Sequence, residues 1–165
     1  MALIALLGAC AGPAPAGPVA LIDAASWVPS PAPDPFVDHR PADASCDGGT
    51  SVEGATLEID TGACTWLWVE QPLLDEVAAG DRLEFVFWHG WLDAPEPAEA
   101  HLALAFEGEP AWDVTVPVPG EPDAYTIELD APSAVPAGAP VGLHLHNHGA
   151  NTWNVLRLDR LPRDE

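Results

Sequence analysis

Residues 141–147 read VGLHLHN, and their alternation decides the fold. Val141, Leu143 and Leu145 fall on one side of an extended chain. Gly142, His144 and His146 fall on the other. Successive side chains of a strand point to opposite faces, so a period of two with one apolar side marks a strand packed on a core through one face. The same pattern recurs on the N-terminal side. AHLALAF (100–106) sets Leu102, Leu104 and Phe106 against His101, Ala103 and Ala105. WDVTVPV (112–118) and YTIEL (125–129) alternate in the same way. Strands are expected near 55–60, 64–70, 82–88, 100–106, 112–118, 124–130, 140–147 and 152–159, punctuated by Gly, Pro and Asp. Pro117 has no N–H to give a ladder, so it belongs at an edge or a bulge. No stretch carries a helical period beyond one turn near residues 73–78. About eight short strands at even spacing predict an all-β, antiparallel β-sandwich.

Two phrases echo one another, VAAGDRLEFVF (77–87) and VPAGAPVGLHL (135–145), each placing an Ala-Gly turn before an alternating strand. Over residues 51–161 this grammar resembles jelly-roll sandwiches of the galactose-binding and carbohydrate-binding-module type. The resemblance implies a glycan ligand as one use of the fold, and a fold of this kind hosts many functions.

The outward side of 141–147 extends into HLHNHG (144–149), which holds three of the chain's six histidines. His144 and His146 stand about 6.7 Å apart on one strand face. Two such imidazoles can reach one zinc or copper ion, with His101 as a third ligand from a neighbouring strand. Ala103 and Ala105 would leave room beside it. His89 ends another strand, and His148 belongs to a hairpin turn in which Gly149 permits the bend and Asn147 and Asn151 bond its backbone. The other reading makes the imidazoles a polar outer face. The His-x-His spacing invites comparison with cupins, but their following Glu is missing, and Glu84 is the one candidate base for metal-assisted hydrolysis. The metal reading requires His101 and His144 on the same sheet.

Seven tryptophans are many for this length, and core packing is their default use. Trp66 and Trp68 share a strand face. Trp88 and Trp91 flank His89-Gly90 at a long acidic, Pro-rich loop, HGWLDAPEPAEA (89–100), where an indole beside Asp93 could stack on a sugar ring while the carboxylate bonds its hydroxyls. Residues 21–50 are rich in Pro and Asp and read as an irregular segment laid over the sandwich, pinned by Trp27 and Phe36. Asp34, Asp38, Asp43 and Asp47 within it are candidate oxygen ligands for a structural calcium ion.

Asp and Glu number 26 against five Arg and no Lys, a net charge of −21. Such a surface repels a phosphate backbone and anionic headgroups, so nucleic acid is not an expected partner. The first nine residues are apolar, and LLGAC (6–10) resembles the lipobox of bacterial lipoproteins. The resemblance implies a signal peptide over 1–9, lipidation at Cys10, a flexible tether over 10–20 and a protein exported to an outer membrane or cell surface. No basic residue precedes the short apolar run, which departs from the signal-peptide pattern. With Cys10 lipidated, Cys46 and Cys64 remain as a disulfide pair in an oxidising compartment. Residues 162–165 form a tail.

No nucleophile elbow, Ser-His-Asp order or His-Glu-x-x-His motif is present, so the chain is not expected to be an enzyme. The leading expectation is a surface-anchored, non-catalytic binding or structural module, its partner a glycan or a surface protein. The alternative is a histidine-based zinc or copper protein of the same fold. A spacer without any ligand fits the sequence equally well.

Overall fold

Why these residues form a sandwich is visible in the register of the strands. The computed structural model describes residues 17–163. Cys10, the leader before it and most of the tether lie outside that range. Eleven strands follow in order: β1 (Val19–Ala20), β2 (Val28–Pro29), β3 (Thr50–Glu53), β4 (Thr56–Asp60), β5 (Trp66–Pro72), β6 (Arg82–His89), β7 (Ala98–Phe106), β8 (Glu109–Val118), β9 (Asp123–Asp130), β10 (Pro140–His146) and β11 (Thr152–Arg160). All pairings are antiparallel. One sheet, here sheet A, has the order β3-β4-β11-β6-β9 with β1 on β11; the other, sheet B, has the order β2-β5-β10-β7-β8. From β4 on, the chain passes from sheet to sheet at every connection but one, the β7–β8 hairpin. That strand order is a jelly roll.

The alternation places the core between the sheets. Sheet A turns Leu57, Ile59, Leu83, Phe85, Phe87, Trp153 and Leu158 inward, and sheet B answers with Leu67, Val69, Leu102, Leu104, Val141, Leu143 and Leu145. Leu158 stays inward only because a bulge between Val155 and Arg157 shifts the phase by one residue, sending Arg157 outward to Glu84. Pro117 lies on β8, the edge strand of sheet B, where its missing N–H deprives no neighbour.

All eight expected strands are present, and three short ones join them. β1 corrects the expected tether: Val19 and Ala20 pair with Arg160 and Asp159, on the edge of β11 that β4 leaves uncovered beyond Val155. Residues 21–49 carry two short 3-10 turns, Ala24–Ser26 and Val37–His39, and β2. This segment is bound at both ends of its crossing of sheet B. Val28 and Pro29 pair with β5, and Cys46 is joined to Cys64 by a disulfide. Closing a loop of that size contributes about 3 kcal/mol in the chain-entropy account. No described helix is long and apolar enough to cross a membrane.

Sheet B has a second apolar layer on its outer side, where Phe36 packs with Trp68, Ala103 and Ala105. A side chain at Gly142 has no place in it, since a Cβ there would lie 1.9 Å from Cη2 of Trp68. Gly142→Ala is therefore expected to displace the Trp68 ring and lower stability by about 1–3 kcal/mol. A urea titration followed by tryptophan fluorescence checks this, and an unchanged midpoint would contradict the packing described.

Candidate binding site

The HNHGAN turn (146–151) is the structural root of the site. The side chains of Asn147 and Asn151 bond inward. Asn147 Nδ2 donates to Thr61 Oγ1 (2.9 Å) and to the His148 carbonyl (2.8 Å). Trp153 Nε1 donates to Asn147 Oδ1, and Asn151 Nδ2 donates to the His148 carbonyl at 2.8 Å. Thr61, Asn147 and Asn151 are all buried. The knot reaches one loop further, because the Asp93 N–H donates to Asn151 Oδ1 at 2.6 Å. Gly149, at φ 82°, passes so close that a Cβ would sit 1.9 Å from the Asp93 carbonyl oxygen. The loop after β6 is fixed on its other side by paired hydrogen bonds between Leu92 and Gly120, each 2.9 Å.

Trp91 stands on this anchored loop, 68 % exposed. It lines a cleft of about 480 Å³ with Leu92, Asp93, Pro119, Gly120 and Glu121. Within the described residues no hydrogen bond or ion pair engages the side chains of Asp93 or Glu121. The cleft thus offers an open indole face, an apolar floor and two carboxylates whose oxygens are available to accept. Trp91 and Asp93, both named from the sequence, line it together. Trp88 does not line the cleft. It lies on the outer face of sheet A, beside Ala124 and Asn154, because the period of β6 points it away from the core side where Phe87 and His89 go. Sequence reasoning missed Pro119, Gly120 and Glu121, which reach Trp91 from the β8–β9 connection, and no local signal ties them to it.

The histidines occupy a different place, the outer face of sheet B. One row across the sheet runs Thr115, His101, His146 and Trp66; the next runs Asp113, Ala103, His144 and Trp68. His101 and His144 are thus on one sheet and on adjacent strands, their rings 5.1 Å apart edge to face. Segment 34–40 lies over them. Asp34 Oδ2 accepts from His144 Nδ1 at 2.7 Å and from Trp66 Nε1 at 3.1 Å, and Asp34 Oδ1 accepts from the Phe36 N–H at 2.9 Å. His39 stacks flat on His101 with ring centroids 3.6 Å apart, and Arg40 sits 4.3 Å above the Trp66 ring. His101 Nε2 contacts Asp113 at 3.2 Å. Burial pushes the Asp34 carboxyl up, but the His144, Phe36 and Trp66 hydrogen bonds and the His144 ring outweigh it and hold it below the usual carboxylate range. Burial holds the His101 ring below the usual histidine range despite Asp113, with His39 and His144 adding to the effect. Burial also pushes the His146 ring down to about 4, helped by the surrounding His148, His144, His39 and His101.

The structure does not assemble the expected metal ligands. Among the described residues no three His, Cys, Asp or Glu side chains are grouped to hold a metal ion. His101 and His144 each contact a carboxylate through one ring nitrogen, Asp113 and Asp34 respectively, and His39 lies flat against His101. For calcium the reason is that Asp34 spends its oxygens on His144, Trp66 and Phe36, so it does not join Asp38, Asp43 and Asp47. Glu84 is on the other sheet, bonded to Arg157 at 2.6 Å, and is no base for this face. His89 faces inward, its ring between the Gly90 carbonyl and the Tyr125 hydroxyl. The room beside Ala103 and Ala105 is taken by Phe36 and Trp68.

No family model and no curated protein matches the chain. Solved structures to which the chain is similar include three carbohydrate-binding domains. The C-terminal CBM6 of LamC, a marine laminarinase from Zobellia galactanivorans, aligns at 11 % identity over 69 % of this chain and 89 % of its own, with a TM-score of 0.45. A CBM4 aligns at 16 % identity over 82 % of this chain and 93 % of its own, with a TM-score of 0.45. The N-terminal cellulose-binding domain of β-1,4-glucanase C from Cellulomonas fimi aligns at 16 % identity over 74 % and 86 %, with a TM-score of 0.44. The likeness is distant, and the fold assignment rests on the strand order and register above.

Asn151→Ala removes the acceptor for the Asp93 N–H and the donor to the His148 carbonyl inside a buried knot. The expected cost is about 1–3 kcal/mol per unsatisfied group, with faster amide exchange at Asp93. Exchange at Asp93 unchanged from the parent would show that the loop is held by other contacts.

Proposed function

We propose that this chain is a non-catalytic, carbohydrate-binding β-sandwich displayed on the outside of a cell. The observation that carries the reading is Trp91: a largely exposed indole on a hydrogen-bonded loop, facing a cleft with two unengaged carboxylates. An exposed aromatic side chain on an anchored loop costs less to order when a ligand arrives than one on a free loop, and such patches mark binding sites. The C–H face of a pyranose suits an indole, and its hydroxyls suit the carboxylates of Asp93 and Glu121. The net charge of −21 disfavours anionic polysaccharides and favours a neutral glycan. The cleft volume fits a ligand of one to a few sugar rings. The lipobox-like leader supports anchoring by a lipid at Cys10, which would place the domain where polysaccharides are met.

The test is calorimetric titration of the purified chain with a panel of neutral oligosaccharides, repeated with Trp91→Ala and Asp93→Asn. A saturable ligand whose affinity falls about tenfold or more in Trp91→Ala, roughly 1.4 kcal/mol, is the expected result. Failure of every neutral oligosaccharide to bind at millimolar concentration, or binding that ignores both substitutions, removes the reading.

A further inference from the structure

The outer face of sheet B has a floor of Trp66, Trp68, Ala103 and Ala105 and a cover made of residues 34–40. The cover is fixed at its ends, by β2 on β5 and by the disulfide from Cys46 to Cys64, and these anchors do not depend on the sheets opening. Residues 34–40 touch the sheet through Phe36 on the floor and against the His101 and His144 rings, Asp34 to His144 and Trp66, His39 flat on His101 and edge-on to His144, and Arg40 over Trp66. Phe36, Asp34 and His39 thus all meet imidazoles. On this face His101 Nδ1 and His144 Nε2, under the cover, and His146 Nε2, next to His101 in the same row, are buried with no hydrogen-bond partner. Any of these nitrogens that takes up a proton becomes a buried N–H donor with no acceptor, beside other imidazoles.

We propose that residues 34–40 form an acid-released cover: protonation of His101 beneath them and of His146 beside it drives the segment off sheet B and lays bare Trp66 and Trp68. The groups facing the cluster set the sign. From the cover come Asp34, Asp38, His39 and Arg40. β10 and the turn after it bring His144, His146 and His148; β7 brings His101 and Glu99; β8 brings Asp113; β5 brings Glu70. Asp34 serves His144 and Asp113 serves His101, while the His146 ring packs against the His148 ring. His101 and His146 take up protons less readily covered than free, so the released state gains protons first. Cover stability is full above the free histidine value of 6.5 and declines as pH falls from there toward about 4, the covered value for His146. Below that window Asp34 protonates, which is a separate event.

The experiment is amide hydrogen exchange by mass spectrometry on the full chain between pH 7.5 and 4.0, with rates normalised to intrinsic exchange at each pH. Peptides spanning 34–40 are expected to lose at least tenfold of their protection between pH 6.5 and 4.5, while β6 and β11 keep theirs and the far-ultraviolet circular dichroism is unchanged. In His101→Gln/His146→Gln the loss is expected to move down by one pH unit or more. If that double variant is not folded at pH 7.5, His146→Gln alone is expected to move it by half a unit. The proposal is overturned if protection of 34–40 is constant across the range, if it is lost together with β6 and β11, or if the variant releases at the parent pH. Loss confined to pH below 4 assigns the event to Asp34 and also overturns it.

Discussion

Asp34 and His144 meet 2.7 Å apart, both buried, from positions 110 residues apart in the chain. The outer side of sheet B is arranged around that contact. An imidazole at the middle of a central strand is costly to bury without a partner, and the partner comes from a segment with almost no regular structure. Once Asp34 is in place, Phe36 follows two residues later onto Ala103 and Ala105, and Trp66 gains an acceptor for its indole N–H. Gly142 and the two alanines are small because Trp68 and Phe36 occupy the space above them. β10 is thereby buried on both faces, one against the core and one beneath the 34–40 segment.

A second polar centre, Thr61 with Asn147 and Asn151, does comparable work at the end of the sandwich. It ties the β10–β11 turn to the end of β4 and, through Asn151, to the loop that carries Trp91. Buried amides that satisfy one another and nearby backbone hold loops more rigidly than apolar contacts do, because their geometry is directional. This is how the acidic loop over residues 90–97 has its backbone held from two sides, at Leu92 and at Asp93, next to Trp91.

Much of the sandwich was legible in the sequence because burial on one face imposes a period of two, and that period survives in VGLHLHN, AHLALAF and YTIEL without help from any partner. The Cys46–Cys64 disulfide was expected only through the lipobox resemblance, which set Cys10 apart and left those two cysteines as a pair. The short strands β1, β2 and β3 were not legible. Val28 and Pro29 carry no alternation, and their strand character is lent by β5 alone. The candidate cleft was half legible: an aromatic, acidic, Pro-rich loop announced Trp91 and Asp93, but nothing near residues 119–121 points to residue 91. Trp88 was misplaced because adjacency in sequence on a strand end means opposite faces or different surfaces in space.

The histidines show the division most clearly. The spacing of His144 and His146 fixes that they share a face, and the alternation of AHLALAF puts His101 on the outer face of its own strand. Both are consequences of backbone geometry, which the sequence by itself determines. Whether three imidazoles converge on an ion, line a wet surface or lie dry beneath a cover depends on what arrives above them. That was decided by tertiary structure, since Asp34, Phe36 and His39 reach the face through a loop whose path is set by its anchors at β2 and Cys46 rather than by any local preference of its own residues.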